Sequence, residues 1–383
     1  MSSTKIDYLS GYFLNHTVGV FPGQEQAIRN VMGEYAAAWC DPVNGQWNYL
    51  MQCREEFLNR WGELLNVDSS TICSMENVTT AVFSLLGSLP HEYLNNRVVL
   101  IAGNCFPSLY FLLDGLQERY GFTLRTVRKD EQYHTSDQAF IDAWDEDVAL
   151  AILTWVSSTT SHRIDLQRLI SHSKTVNSLT CLDFTQGAGI IPLDLGSADV
   201  DFAVTTSLKW SCGSTGAGLL YVNPNKLSDC EPELRGWFSQ ENPFSWDLDL
   251  FQYSHTTNRF LNGTPSFLPC CASLPGLRWL EDTGQHVALE HNRRLCSQII
   301  DQAVRMDWNL LTPIEEEKRG GSLMFGLSPN VDIDGLISEL ERDYIAVDFR
   351  GRILRISPGY TTTEVAVNQL CAHLKRVFSP AKH

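Results

Sequence analysis

Asp183 and Lys209 are the residues best placed by type and spacing to do chemistry. Asp183 sits in Cys181-Leu-Asp-Phe-Thr-Gln-Gly-Ala-Gly189, and Lys209 ends Thr205-Thr-Ser-Leu-Lys209, with the glycine-rich Gly213-Ser-Thr-Gly-Ala-Gly218 behind it. A carboxylate favours the charged form of an adjacent cation, and a lysine amine can serve as nucleophile and proton carrier. Each residue follows a short apolar run. An acid ending one buried strand and a lysine just past the next would project into one cleft at the carboxyl edge of a sheet, where open α/β sheets place ligands.

The elements that would position them alternate. Apolar runs at 98–102, 124–127, 148–153, 179–182, 202–204 and 218–222 are separated by amphipathic stretches. That pattern predicts buried strands of a mainly parallel sheet covered on both faces, an α/β architecture. Past about residue 280 the order changes to a helix at 287–306, a strand at 322–326, a helix at 333–340, a strand at 353–357 and a helix at 364–377. This predicts a small α+β domain. The expected division is 1–50, an N-terminal segment joining the small domain, 51–280, the large domain, and 281–383, the small one.

Composition narrows the function classes. The 383 residues are 43% hydrophobic, 19% charged and 10% aromatic, as in a globular protein with a large core. A formal charge of −16 without a lysine- or arginine-rich run argues against a nucleic-acid partner. The N-terminus shows no export signal and no apolar stretch reaches spanning length, so no membrane is expected and a cytoplasmic location is. Eleven scattered cysteines without a CxxC pair suit neither a zinc site nor a disulfide framework, and most are read as reduced, packed thiols; no metal is expected.

The segment around Asp183 and Lys209 resembles the cofactor site of fold-type I pyridoxal-phosphate (PLP) enzymes of the class V aminotransferase superfamily, kynureninase-like and isopenicillin N epimerase-like members in particular. Tyr12-Phe-Leu-Asn-His16 resembles the opening strand and Glu76-Asn-Val-Thr-Thr-Ala81 the phosphate-binding turn. Gly236-Trp-Phe238 and Arg259-Phe-Leu-Asn-Gly-Thr-Pro265 resemble kynureninase segments, and Leu354-Arg-Ile-Ser-Pro358 with Tyr360 the substrate-carboxylate strand. The resemblance implies a large domain with a mainly parallel, seven-stranded type of sheet. It also implies PLP held by Lys209 as a Schiff base, with Asp183 keeping the ring nitrogen protonated so that the ring is an electron sink. Gln186 would bond the ring's phenolic oxygen.

The resemblance assigns further residues. Thr79 and Thr80, at a predicted helix start, would hold the cofactor phosphate, although simple helix capping by threonine would explain them too. Thr206 and Ser207 are further phosphate candidates. Phe106, in Asn104-Cys-Phe-Pro-Ser108, would stack on the ring, or lie in the core. Ser157 would face ring or substrate. Trp237 and Thr264 would reach the cofactor phosphate of a neighbouring subunit, making the enzyme a homodimer; Trp237 could equally be an interface or core aromatic. Arg355 would grip the α-carboxylate of a small amino-acid substrate, the alternative being a salt bridge to an acidic neighbour.

The expected activity is Cα chemistry on a small amino acid, by transamination or side-chain elimination of a lyase type, in specialised metabolism. Kynurenine hydrolysis is disfavoured because Leu208 and Leu109 stand where kynureninases carry a tyrosine and an aspartate. A C–S lyase or desulfurase reading lacks a cysteine in an evident glycine-rich catalytic loop. Epimerisation ranks lower. So does a non-catalytic fold member, given intact Lys209, Asp183, Gln186 and Arg355. A nicotinamide-dependent enzyme lacks its GxGxxG after the first strand.

Overall fold

The computed structural model describes residues 7–43 and 45–378, so the outermost residues of the expected first and last divisions, 1–6 and 379–383, lie outside the described residues. Seven strands build the large sheet: β1 (Ile72–Met75), β2 (Val98–Ala102), β3 (Thr123–Val127), β4 (Val148–Thr154), β5 (Leu179–Asp183), β6 (Phe202–Thr206) and β7 (Gly218–Val222). Their order is β1-β7-β6-β5-β4-β2-β3. The pairs from β3 to β6 are parallel, and β7 runs antiparallel to both β6 and β1. The predicted mainly parallel sheet is therefore present, with β1 as the strand the apolar pattern did not show.

Successive apolar residues on these strands feed two cores, which is why the strands read as unbroken hydrophobic runs. Leu100, Ala151, Leu182 and Ala203 enter one cluster. Ile101, Ile152, Cys181 and Val204 enter the other. Among the described residues no helix is long and apolar enough to cross a membrane. All eleven cysteines are free, and nine are buried.

A second, antiparallel sheet joins β8 (Leu323–Gly326), β10 (Ile353–Ile356) and β9 (Asp348–Arg350), in that order. Phe13, Leu323, Leu354, Ile356 and residues of the helices Gln285–Arg305 and Glu364–Phe378 form its core. The segment 12–16 is not a full strand. Tyr12 and Leu14 make single bridges to Ala346 and Ser357. Residues 12–17 of the N-terminal segment meet the small sheet and its flanks, whereas the helix Gln24–Trp39 packs against the helices Gln46–Leu65 and Phe267–Thr283.

Candidate active site

The parallel strands end together on one edge. Thr154 ends β4, Asp183 ends β5 and Thr206 ends β6, with Thr154 paired to Asp183. Lys209 follows in the loop after β6. Two close approaches hold that loop. The Gly19 N–H donates to the Leu208 carbonyl at 2.9 Å, and a side chain at Gly19 would collide with the Lys209 carbonyl. Tyr360 donates its hydroxyl to the Trp210 carbonyl at 2.7 Å and lies 3.1 Å from that of Gly189. The small sheet's neighbourhood thus braces the lysine from outside the large one.

A cavity of about 710 Å³ opens on this edge. Of the sequence candidates it is lined by Thr79, Thr80, Phe106, Asp183, Gln186, Thr206, Lys209 and Arg355, which come from five separate stretches of chain. Asp183 is 6% exposed. One of its oxygens accepts from the Thr185 N–H at 3.0 Å, and the carboxylate has no further partner among the described residues. Burial pushes its carboxyl above the ordinary range, against hydrogen bonding to Thr185 and the charge of Lys209. Burial also brings the Lys209 amine down to about 8, against Asp183 and with Arg355 and Arg350. The amine lies 5.6 Å from the centre of the Phe106 ring.

At another wall, the helix Val78–Leu86 starts against β7, where Gly218 leaves room for the Asn77 backbone; an added Cβ would come within 3.0 Å of it. Asn77 and Thr80 form a reciprocal cap, with Thr80 N donating to Asn77 Oδ1 at 2.9 Å and Asn77 N donating to Thr80 Oγ1 at 3.1 Å. Thr80 is therefore engaged in capping, the alternative open for it in the sequence. The Thr79 hydroxyl has no partner among the described residues. It stands beside helix N–H groups that no intrahelical bond can use.

Other candidates lie elsewhere. Ser157 does not line this cavity: its hydroxyl serves the turn through Thr159 and the Thr160 N–H, and it is the neighbouring Ser158 that lines it. Ser207 donates its hydroxyl to the Ala217 carbonyl at 2.7 Å and is fully buried. Trp237 and Thr264 stay outside the cavity of their own chain. Trp237 joins an aromatic cluster with Trp47, Phe244 and Trp246, and Thr264 is exposed.

Arg355 reaches the cavity but is already paired. Its Nε donates to Asp348 Oδ1 at 2.7 Å and its Nη2 to Asp348 Oδ2, the ion pair named as the alternative for this residue. His16 Nε2, 3.0 Å from Asp348 Oδ1, and the Thr17 hydroxyl complete the carboxylate's shell. Although burial opposes it, the His16 and Arg355 bonds hold the Asp348 carboxyl well below the usual range. Arg350, beside this pair, also lines the cavity.

Asp348, Arg350 and His16 were missed in the sequence, although one signal for the first two existed. Phe349-Arg-Gly-Arg-Ile353 reads as a tight hairpin about glycine, and Gly351 has φ 59°. Pairing back from that turn sets Arg350 opposite Ile353 and Asp348 opposite Arg355.

The residues present fit PLP. A buried carboxylate with one N–H partner suits a protonated ring nitrogen. Thr79 at a helix start suits a phosphate, and Phe106 offers a ring face next to Lys209, the one lysine among the described residues that lines the cavity.

Comparison with known proteins agrees. The Aminotransferase class-V family matches residues 26–353. A kynureninase from Pseudomonas fluorescens is 25% identical over 88% of this chain and 83% of its own. Isopenicillin N epimerase from Streptomyces clavuligerus is 26% identical over 84% of this chain and 82% of its own. The structure of a cysteine desulfurase from Thermococcus onnurineus NA1 superposes with a TM-score of 0.84 at 17% identity, over 96% of this chain and 94% of the other.

Proposed function

The chain belongs to the aminotransferase class-V family of PLP-dependent enzymes, and from that premise we propose that it performs Cα chemistry on a small amino acid, by transamination or by elimination from the side chain. The observation that carries this reading is the Asp183–Lys209 pair on one cavity wall, the acid buried and the lysine half-buried, with Phe106 beside the amine. In it, Lys209 is the covalent anchor, Asp183 faces the ring nitrogen, Gln186 the phenolic oxygen, and Thr79 and Thr206 the phosphate. PLP bound there supplies an electron sink for charge that develops on the substrate's α-carbon. Lys209, once free of the cofactor, carries the proton at that carbon; an amine brought down to about 8 is suited to do so near neutral pH.

No cysteine lines the cavity, which weighs against a desulfurase. Leu109 and Leu208 both line it and supply no polar group for side-chain hydrolysis of the kynureninase kind. We further propose a homodimer. Phe244 and Trp246 are 63% and 79% exposed against Trp237, a surface that a second copy would cover while bringing Trp237 and Thr264 to the neighbouring site. Eleven free thiols suit the cytoplasm.

The test is borohydride reduction of the purified protein followed by peptide mapping, with the cofactor adduct expected on Lys209. An adduct on another lysine, or none, sinks the reading. Incubation with an amino-acid panel then separates a keto acid product, from transamination, from ammonia with a cleaved side chain. Kynurenine belongs in the panel, because anthranilate release would replace this proposal by a hydrolase.

A further inference from the structure

Behind the end of β4, three polar atoms withdrawn from solvent meet in one small space. Thr135 Oγ1, Asp137 Oδ1 and Thr154 Oγ1 have no hydrogen-bond partner among the described residues, and Thr135 is 5% exposed. All three residues line a cavity of about 20 Å³. Thr154 also lines the cavity that holds Lys209, so its side chain stands in the wall between the two. Each of these atoms gives up its hydration on folding, a cost that native proteins seldom leave uncovered. We propose that the small cavity is a binding site for a single internal water bridging Asp137 and the two threonines, and that Thr135 is thereby a positioning residue for Thr154 in the wall of the cofactor cavity. The second half of this proposal rests on the proposed reading of Lys209 as the cofactor anchor.

Size and chemistry both select water. One water takes about 10–15 Å³ of free space, which this cavity supplies. It would donate to Asp137 Oδ1 and to one threonine oxygen, and accept the O–H of the other threonine, about the three bonds that buried waters usually make. The second oxygen of Asp137 accepts from the Asp165 N–H at 2.9 Å, which fixes the carboxylate. Other polar groups in the wall are committed: Asn104 Nδ2 donates to the Tyr133 carbonyl at 3.4 Å, and the Ser136 and Ser157 hydroxyls accept from the Ala139 and Thr160 N–H groups at 3.1 and 3.3 Å. A hard metal cation asks for about six oxygens. Ala102, Phe140, Leu153, Ile164 and Leu169 make up the rest of the wall and present apolar side chains. His162 lines both this cavity and an outer groove of about 550 Å³, so the imidazole stands between the water and solvent. Thr135 and Asp137 follow β3, while Thr154 ends β4 and is paired with Asp183 of β5. The water therefore ties the chain after β3 to the strand end beside the cofactor's carboxylate.

The test has a structural arm and a coupling arm. A high-resolution crystal structure of the full-length protein should show one water within hydrogen-bond distance of Thr135 Oγ1, Asp137 Oδ1 and Thr154 Oγ1, and crystals soaked in thallous acetate should show no anomalous peak there. Direct bonds between the threonine hydroxyls and Asp137, or a thallium peak, overturn the water site. In solution, PLP titration of a double-mutant cycle reads the coupling across the wall. Thr135→Val is expected to weaken PLP binding by about threefold and Thr154→Val by about three- to tenfold, with the double variant no weaker than Thr154→Val alone. Thr135→Ser, which keeps the hydroxyl, should restore native affinity. Effects that multiply in the double variant, or a Thr135→Ser variant as weak as Thr135→Val, overturn the positioning role, because a merely structural threonine acts independently of Thr154. A native protein that binds no PLP would remove the parent reading, and the crystal structure would still decide the water site.

Discussion

The two ends of the cavity are built in opposite ways. At the cofactor end polar groups are left open: Asp183 accepts one N–H, the Thr79 hydroxyl has no partner, and Thr154 Oγ1 is buried without one. At the other end they are closed on each other, with Asp348 receiving Arg355, His16 and Thr17, and His16 Nδ1 2.6 Å from the Ser357 hydroxyl. Buried polar groups are nearly always satisfied in folded proteins, so open ones point to a ligand and closed ones to scaffold. Arg350, at the same end, makes one hydrogen bond, to the Ser158 hydroxyl.

The sharpest way to break this contrast is to remove one carboxyl charge from each end. Asp183→Asn should leave the cofactor-free protein as stable as the native one or more so, because the buried carboxylate lacks a compensating partner until the cofactor arrives. With cofactor present, turnover should fall by about a hundredfold or more, since an amide cannot keep a ring nitrogen protonated. Asp348→Asn should do the reverse to stability, lowering it by about 1–3 kcal/mol by leaving the Arg355 guanidinium unpaired. Thermal unfolding with and without PLP checks both. A Tm that falls for Asp183→Asn and not for Asp348→Asn would invert the assignment of ligand and scaffold.

The same contrast explains what the sequence disclosed. Asp183, Gln186, Thr206 and Lys209 lie in contiguous motifs at strand ends, so apolar runs and spacing suffice to bring them together. The other end is made by pairing between distant segments. β9 is three residues, Asp-Phe-Arg, with no apolar run, and exists because it pairs with β10. Arg355 could thus be picked out without its partner. β1 was missed for a like reason, being four residues, Ile-Cys-Ser-Met, held by β7. The shift from Ser157 to Ser158 comes from the turn that begins there, which takes up the Ser157 hydroxyl and leaves Ser158 to the cavity.

A finer test lies within the cofactor end, between adjacent threonines. Thr80→Val removes one half of the reciprocal cap and should lower stability by about 1 kcal/mol with little effect on cofactor affinity. Thr79→Val should leave stability nearly unchanged and weaken PLP binding by about tenfold, the loss of one hydrogen bond to an anion. Equilibrium unfolding and cofactor titration separate the two. Equal effects in both assays would mean that the helix start acts as a unit and that the open and closed hydroxyls are not different in kind.

The smallest effect, and the one that compares the ends in a single measurement, is the pH dependence of stability in the cofactor-free protein. His16 is brought down to about 4 chiefly by burial, against the pull of Asp348. Between its ordinary value near 6.5 and about 4, the unfolded chain binds a proton that the native protein does not. Stability must therefore fall on acidification through that window. The depressed Asp348 carboxyl adds to the loss once the pH drops below the usual carboxylate range. Lys209, also depressed by burial, has the same sign in another window: its own contribution rises as pH climbs from about 8 towards 10.5, where the unfolded lysine finally gives up its proton, against the opposite contribution of thiols such as Cys73 and Cys105 that burial pushes up. His162, which burial also brings down to about 4, shares the acid window, so each residue's part is read as the difference between a variant and the native protein. Lys209→Met should lose the lysine's alkaline contribution and leave the acid limb as in the native protein, whereas His16→Gln should make the upper part of the acid limb shallower and leave the alkaline one. Unfolding free energies measured from pH 4 to pH 10 decide it. If either variant changes both limbs together, the two ends are one coupled network, and the division between open and closed groups does not hold.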